Sequence, residues 1–178
     1  MSEQEFPTPT PYDALQAAIL ELFHETVSRY PPPHAPGAEP SSPPPHRIGE
    51  YLVYQGYLSP RELHSALQES QGISGGKPVP LGFILVTRYN LPATVIAMAL
   101  LLQTLDQLAH TPRLPPRFLG EQLLREAALT PQQLALVLEQ QVVDYTHGQW
   151  QRIGDLIANH GWLDADALNA FVREMRAA

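Results

Sequence analysis

One phrase is written four times in this chain: an apolar residue, a glycine, an aliphatic residue three on, a turn, and then a leucine-spaced helix. The copies are RIGEYLVYQGYLSPRELHSAL from Arg47, PLGFILVTRYNLPATVIAMAL from Pro80, FLGEQLLREAALTPQQLALVL from Phe118 and RIGDLIANHGWLDADALNAFV from Arg152. Counted from Gly49, Gly82, Gly120 and Gly154, an aliphatic stands three residues on (Leu52, Leu85, Leu123, Ile157) and a leucine nine on (Leu58, Leu91, Leu129, Leu163). Aliphatics return at fourteen (Leu63, Ile96, Leu134, Leu168) and eighteen (Leu67, Leu100, Leu138, Val172). A unit this short cannot bury its own apolar face, so repeated units must stack on one another.

Each copy reads as helix, turn, helix. Ser59-Pro60-Arg61-Glu62 supplies a capping serine, a proline for the first helical position and a glutamate that closes a capping box. Thr130-Pro131-Gln132-Gln133 repeats that chemistry, Asp164 stands at the matching place in copy four, and copy two has Pro92 there with no cap. The second helix of copy two, VIAMALLLQTLDQLA, is apolar nearly all round, which predicts burial on several sides or an oligomer seam. Glycine spacings are 33 and 34 residues within the outer pairs and 38 across the middle, where HTPRLPP (110–116) intervenes. The expected fold is all-α: tandem helix–turn–helix repeats in two lobes, 47–109 and 117–178, with QGISGGKPVP as a loop between copies one and two.

Residues 1–46 form an arm. Its first eleven residues are polar and proline-broken and read as disordered. From 12 to 30, apolar residues at Tyr12, Leu15, Ile19, Leu22, Phe23, Val27 and Tyr30 predict an amphipathic helix that packs on its own core, a second copy or a partner. Residues 31–46 hold eight prolines and read as an extended, semi-stiff tether that keeps this helix at a distance.

The net charge of −7 is concentrated in the arm, which carries −5, and the repeats carry −2. That balance argues against a nucleic-acid polymer as partner, because such binding needs a basic face. The start, MSEQEFPTPTP, has neither the basic nor the apolar region of a secretory signal, and the most apolar stretch, 81–102, is interrupted by Arg88, Asn90 and Pro92. A cytoplasmic protein without membrane insertion is expected. The chain has no cysteine, which excludes disulfides and thiolate chemistry. No HExxH or G-x-S-x-G occurs, the seven histidines are dispersed, and the GISGGK run lacks a following Ser or Thr. No catalytic residue, metal site or cofactor is predicted.

The phrase R-I-G-x-x-L, a second glycine seven after the first, L-x-x-x-L and a closing glutamine resemble the MshEN domain. That domain opens many type II secretion and type IV pilus assembly ATPases and binds cyclic di-GMP through tandem copies. The resemblance covers 47–178 and implies a ligand site at Arg47, Ile48, Gly49, Gln71, Leu81, Gly82, Gln103, Leu119, Gly120, Gln141, Arg152, Ile153 and Gly154. In such a site arginine offers a planar fork for phosphate or guanine, glycine admits the ligand to helix-start N–H groups, and glutamine reads a base edge. Copies two and three have Pro80 and Phe118 in place of the arginine, and Tyr89 and Ala127 in place of the second glycine. In copy one the glutamine falls at Gln71, one position late, and copy four has Met175.

Two readings follow. The first is a non-enzymatic module that binds cyclic di-GMP and signals to a protein partner from a secretion, pilus or other assembly machinery, or to another copy of itself. The second is a repeat protein that serves as an assembly adaptor without nucleotide. Arg47 and Arg152 suit either a ligand or a solvated, capping role, and Trp150 and Trp162 read as core residues.

Overall fold

Each copy folds into two helices joined by one recurring turn. The computed structural model describes residues 11–44, 46–72, 75–111, 116 and 118–177. Among them stand nine helices and no strand. Helix α1 (Pro11–Arg29) belongs to the arm. Copy one gives α2 (Ile48–Tyr54) and α3 (Pro60–Ser70), and copy two gives α4 (Leu81–Tyr89) and α5 (Ala93–His110). Copy three gives α6 (Leu119–Arg125) and α7 (Pro131–Thr146), and copy four gives α8 (Ile153–Asn159) and α9 (Ala165–Ala177).

The turn explains the spacing of the phrase. The N–H of the leucine nine on donates to the carbonyl of the aliphatic three on: Leu58 to Leu52 at 3.2 Å, Leu91 to Leu85 at 3.0 Å and Leu129 to Leu123 at 3.3 Å. Closing the helix this way needs a left-handed residue. It lies seven after the glycine at Gly56 (φ 81°), Ala127 (φ 52°) and Gly161 (φ 71°). In copy two, Tyr89 continues the helix and Asn90 (φ 54°) takes the left-handed position one residue later. The second helices are capped as their residues predict. Ser59 and Glu62 close a reciprocal box at 3.3 and 2.7 Å, Thr130 and Gln133 close another at 3.2 and 2.9 Å, and Asp164 accepts from the Ala167 N–H at 2.8 Å.

The helices pair by a two-fold rule. Helix α2 packs on α5 as α8 packs on α7; α3 meets α4 as α9 meets α6; and α4 meets α7 as α6 meets α5. Exchanging copies one and four, and two and three, therefore maps these pairings onto themselves. The α4–α5 and α6–α8 contacts have no counterpart of similar extent. The most extensive pair, α5 with α7, is its own image and forms the centre.

Helix α5 lies between two cores. Val95, Ile96 and Ala99 join Leu52, Leu58, Ile84 and Leu85, while Ala97, Met98, Leu101 and Leu108 join Leu123, Leu134, Val137, Leu156 and Ile157. Burial on opposite faces is why this helix is apolar all round. It is the one helix among the described residues with the length and composition to cross a membrane, and it sits in the middle of the protein.

Helix α1 packs across α5 and α7. Ile19 is fully buried there, with Tyr12, Leu15, Leu22 and Phe23 beside the same core. Burial of such side chains contributes about 1.5–3 kcal/mol each. The proline segment departs from the expected tether, because it is laid along copy one. The His34 N–H donates to the Gly56 carbonyl at 3.0 Å, and the Gly37 N–H donates to those of Val53 and Tyr54 at 3.2 and 3.1 Å. The Tyr57 hydroxyl donates to the Tyr30 carbonyl at 2.7 Å, and the His34 ring meets Glu62 at 3.0 Å. Gly56 is doubly constrained: its φ is positive, and a Cβ would strike the His34 carbonyl. Of residues 1–11, expected to be disordered, Pro11 opens α1 and the others, like most of the joint at 110–116, fall outside the described residues.

Candidate ligand cavity at the junction of four copies

Two cavities meet at Arg47. One, of about 570 Å³, draws lining residues from all four copies: Arg47 from copy one, Gln103 from copy two, Gly120 and Gln141 from copy three and Ile153 from copy four. The other, of about 510 Å³, lies over Ile48, Gly49, Leu63, Leu67 and Leu81, with Arg47, Ser42, Pro43 and Glu50 around it. Both volumes fall within the range of small-molecule sites. Eight of the thirteen expected residues line one or both. Gln71, Gly82, Leu119, Arg152 and Gly154 line neither.

Arg47 caps the start of α2 and is exposed. Its N–H donates to Glu50 at 2.6 Å, and the other oxygen of Glu50 accepts from Ser42 at 2.8 Å. The Arg47 N–H is the main reason this carboxyl is held below its ordinary range. Among the described residues the Arg47 guanidinium makes no salt bridge, and its charge adds to the pull that keeps Glu50 ionised. The larger cavity thus has a cationic edge, an apolar floor of Leu100, Leu134 and Leu138, and amides and a hydroxyl from Gln103, Gln107, Gln141 and Thr104. Phe118, which stands where copies one and four have arginine, lines it with a 67% exposed side chain. Glu121, 5% exposed, adds a carboxylate.

The repeat glycines serve packing. A Cβ on Gly49 would come within 2.5 Å of the Leu63 methyl, one on Gly120 within 3.3 Å of Leu134, and one on Gly82 within 3.7 Å of Ile96. In each case the opposing residue is the aliphatic fourteen on. Gly154 differs, facing Leu119 at 3.7 Å.

The glutamines also have partners in the chain. Gln103 Nε2 donates to the His46 carbonyl at 3.1 Å, and Gln141 Nε2 donates to the Gln151 carbonyl at 2.8 Å. His46 and Gln151 are the residues just ahead of the two R-I-G sequences. An aspartate three residues after each glutamine completes the clamp. Asp106 accepts from the His46 N–H at 3.3 Å and from the Tyr51 hydroxyl, and burial beside Asp106 pushes the Tyr51 hydroxyl pKa up. Asp144, 8% exposed, accepts from the side chains of Gln151 at 3.0 Å and Gln140 at 2.6 Å. Neither aspartate belongs to the four-fold repeat phrase. Their signal is Q-x-x-D, present in copies two and three only, as QTLD and QVVD.

Arg152 is exposed at the start of α8 and lines neither cavity. Gln71 is exposed at the end of α3. Trp162 packs half-buried against the core and stacks on His160 at 4.4 Å. Trp150 departs from the expected core role. It lies in the α7–α8 connection, 65% exposed, and touches Tyr145 edge-on at 5.6 Å.

No family model matches this chain, and neither does any curated protein or solved structure.

Proposed function

We propose that this protein is a non-enzymatic regulatory module that takes cyclic di-GMP, or a closely similar anionic dinucleotide, in the cavity between the four copies and passes its state to a protein partner. One observation carries the reading: Arg47, Gln103, Gly120, Gln141 and Ile153, drawn from four copies far apart in sequence, line one cavity of about 570 Å³. An exposed guanidinium with no salt bridge among the described residues suits a phosphate, the leucine floor suits flat bases, and Phe118 offers a ring on which a base can stack. The net charge of −7 sets no obstacle to an anion held at a local cationic group. Melting with cyclic di-GMP at about 100 times its Kd should raise stability by about 2.7 kcal/mol, a Tm shift of roughly 5–10 °C for a chain of this size. GMP at the same concentration should shift it far less.

A second reading has its own support. The expected base-reading amides of Gln103 and Gln141 are engaged with backbone carbonyls, and all four repeat glycines face aliphatic side chains. A helical adaptor without nucleotide needs only those packing roles. An unchanged melting curve with cyclic di-GMP favours that reading.

A further inference from the structure

We infer that Gln103 and Asp106 couple occupancy of the cavity to the proline arm. The inference rests on the ligand reading above for its trigger, and on the clamp geometry for its mechanism.

His46 is where the arm, the cavity and α5 meet. Its carbonyl accepts from Gln103, its N–H donates to Asp106, and it lines the larger cavity beside both Gln103 and Arg47. Upstream, the arm is fixed to copy one by few polar bonds: Ser42 to Glu50, Gly37 to Val53 and Tyr54, His34 to Gly56 and Glu62, and Tyr30 to Tyr57. A ligand that turns the Gln103 side chain toward itself takes that amide away from the His46 carbonyl. The amide carries two N–H groups, so the His46 peptide is left to Asp106 alone when the Gln103 side chain rotates away from the His46 carbonyl as a whole. Arg47, turning toward the phosphate, draws on the same backbone, because its N–H is the bond to Glu50 and Glu50 is the acceptor for Ser42. Ligand and arm thus share the His46–Arg47 peptide, and filling the cavity loosens the arm from copy one.

The two-fold partner supplies an internal control. Gln141 holds the Gln151 carbonyl as Gln103 holds that of His46, and Asp144 holds the Gln151 side chain, but that segment continues from α7 and carries no arm. The signal therefore leaves through copy one alone.

The test is amide hydrogen exchange on the full-length chain, read at His34, Gly37 and His46, whose N–H groups all have protein acceptors. Gln103→Leu without ligand should speed exchange at His46 and Gly37 about tenfold, the upper range for loss of one hydrogen bond. Gln141→Leu should leave those three amides at the wild-type rate. Saturating cyclic di-GMP on the wild-type chain should speed the same amides as Gln103→Leu does. Nucleotide binding with the arm amides unchanged overturns the coupling and leaves the ligand reading standing. Absence of nucleotide binding overturns the ligand reading. In that case the clamp is judged by Gln103→Leu, and arm amides unmoved by that substitution overturn it too.

Discussion

Gln103 and Gln141 hold the same register in copies two and three, and each donates its side-chain amide to the carbonyl just ahead of an R-I-G sequence, at 3.1 and 2.8 Å. The pair shows how the repeats are organised. The central copies hold the outer ones, with copy two serving copy one and copy three serving copy four.

Ala127 stands in the left-handed region (φ 52°) where copies one and four have glycine. That conformation costs a non-glycine residue roughly 1–2 kcal/mol, and glycine in exchange costs about 0.5–1 kcal/mol in unfolded-chain entropy. Ala127→Gly should therefore stabilise the protein by about 0.5–1 kcal/mol in urea denaturation. Ala127→Val should destabilise it, because a β-branched residue tolerates positive φ least.

Gly49 and Gly82 occupy the same register and should respond differently. A Cβ at Gly49 meets Leu63 methyls at 2.5 and 3.0 Å, whereas at Gly82 the nearest atom is 3.7 Å away. Gly49→Val should cost about 1–3 kcal/mol by overpacking. Gly82→Ala should be close to neutral in the same assay. A loss of ligand binding in Gly49→Val would then report lost packing, so Arg47 is the position to probe for the ligand.

Ile19 and Leu20 are adjacent on α1, with exposures of 0% and 40%. Ile19→Ala should cost about 2–5 kcal/mol, and Leu20→Ala should stay within about 0.5 kcal/mol. Deleting 1–46 uncovers the apolar face of α5 and α7 and should lower the Tm and promote association, measured by light scattering. Equal costs for the two alanine variants would show that α1 does not dock on this face.

Glu50 and Glu62 sit in the first turns of α2 and α3, and both are held below their ordinary value of 4.5. The first cause is a backbone N–H, from Arg47 for one and from Ser59 for the other. A carboxyl whose pKa is lowered by folding stabilises the fold above its unfolded pKa, and that contribution is lost as pH falls through the folded value. The Tm should be level from pH 7 to about 5 and should fall below about 4.5. Glu62→Gln should flatten part of that acid limb.

The all-α fold was legible because the repeat states it four times over, and the caps were legible because Ser59, Thr130 and Asp164 are strong local signals. Residue types alone left other features hidden. Helix α5 read as buried or as an oligomer seam, and only the tertiary arrangement, which places it between two cores, decides between them. Prolines between 31 and 46 suggested a free tether, yet no local pattern reports that the His34 and Gly37 N–H groups find acceptors on copy one. The site was legible as a set of positions; its wiring was not. Glutamine in a repeat motif suits a ligand and a backbone carbonyl equally, and the Asp106 and Asp144 partners show up only when the second helices of copies two and three are compared. Trp150 misled because a large aromatic beside a repeat usually packs, whereas this one falls in a connection.

Titration calorimetry of the full-length protein with cyclic di-GMP, run beside Arg47→Ala, tests the central claim most directly. The account predicts saturable binding by the wild-type chain and a loss of about 1.5–3 kcal/mol in the variant for its charged hydrogen bonds, roughly 10- to 150-fold in Kd, with the Tm of the free protein unchanged. Absence of heat for the wild-type chain, or equal affinities for the two proteins, would contradict it.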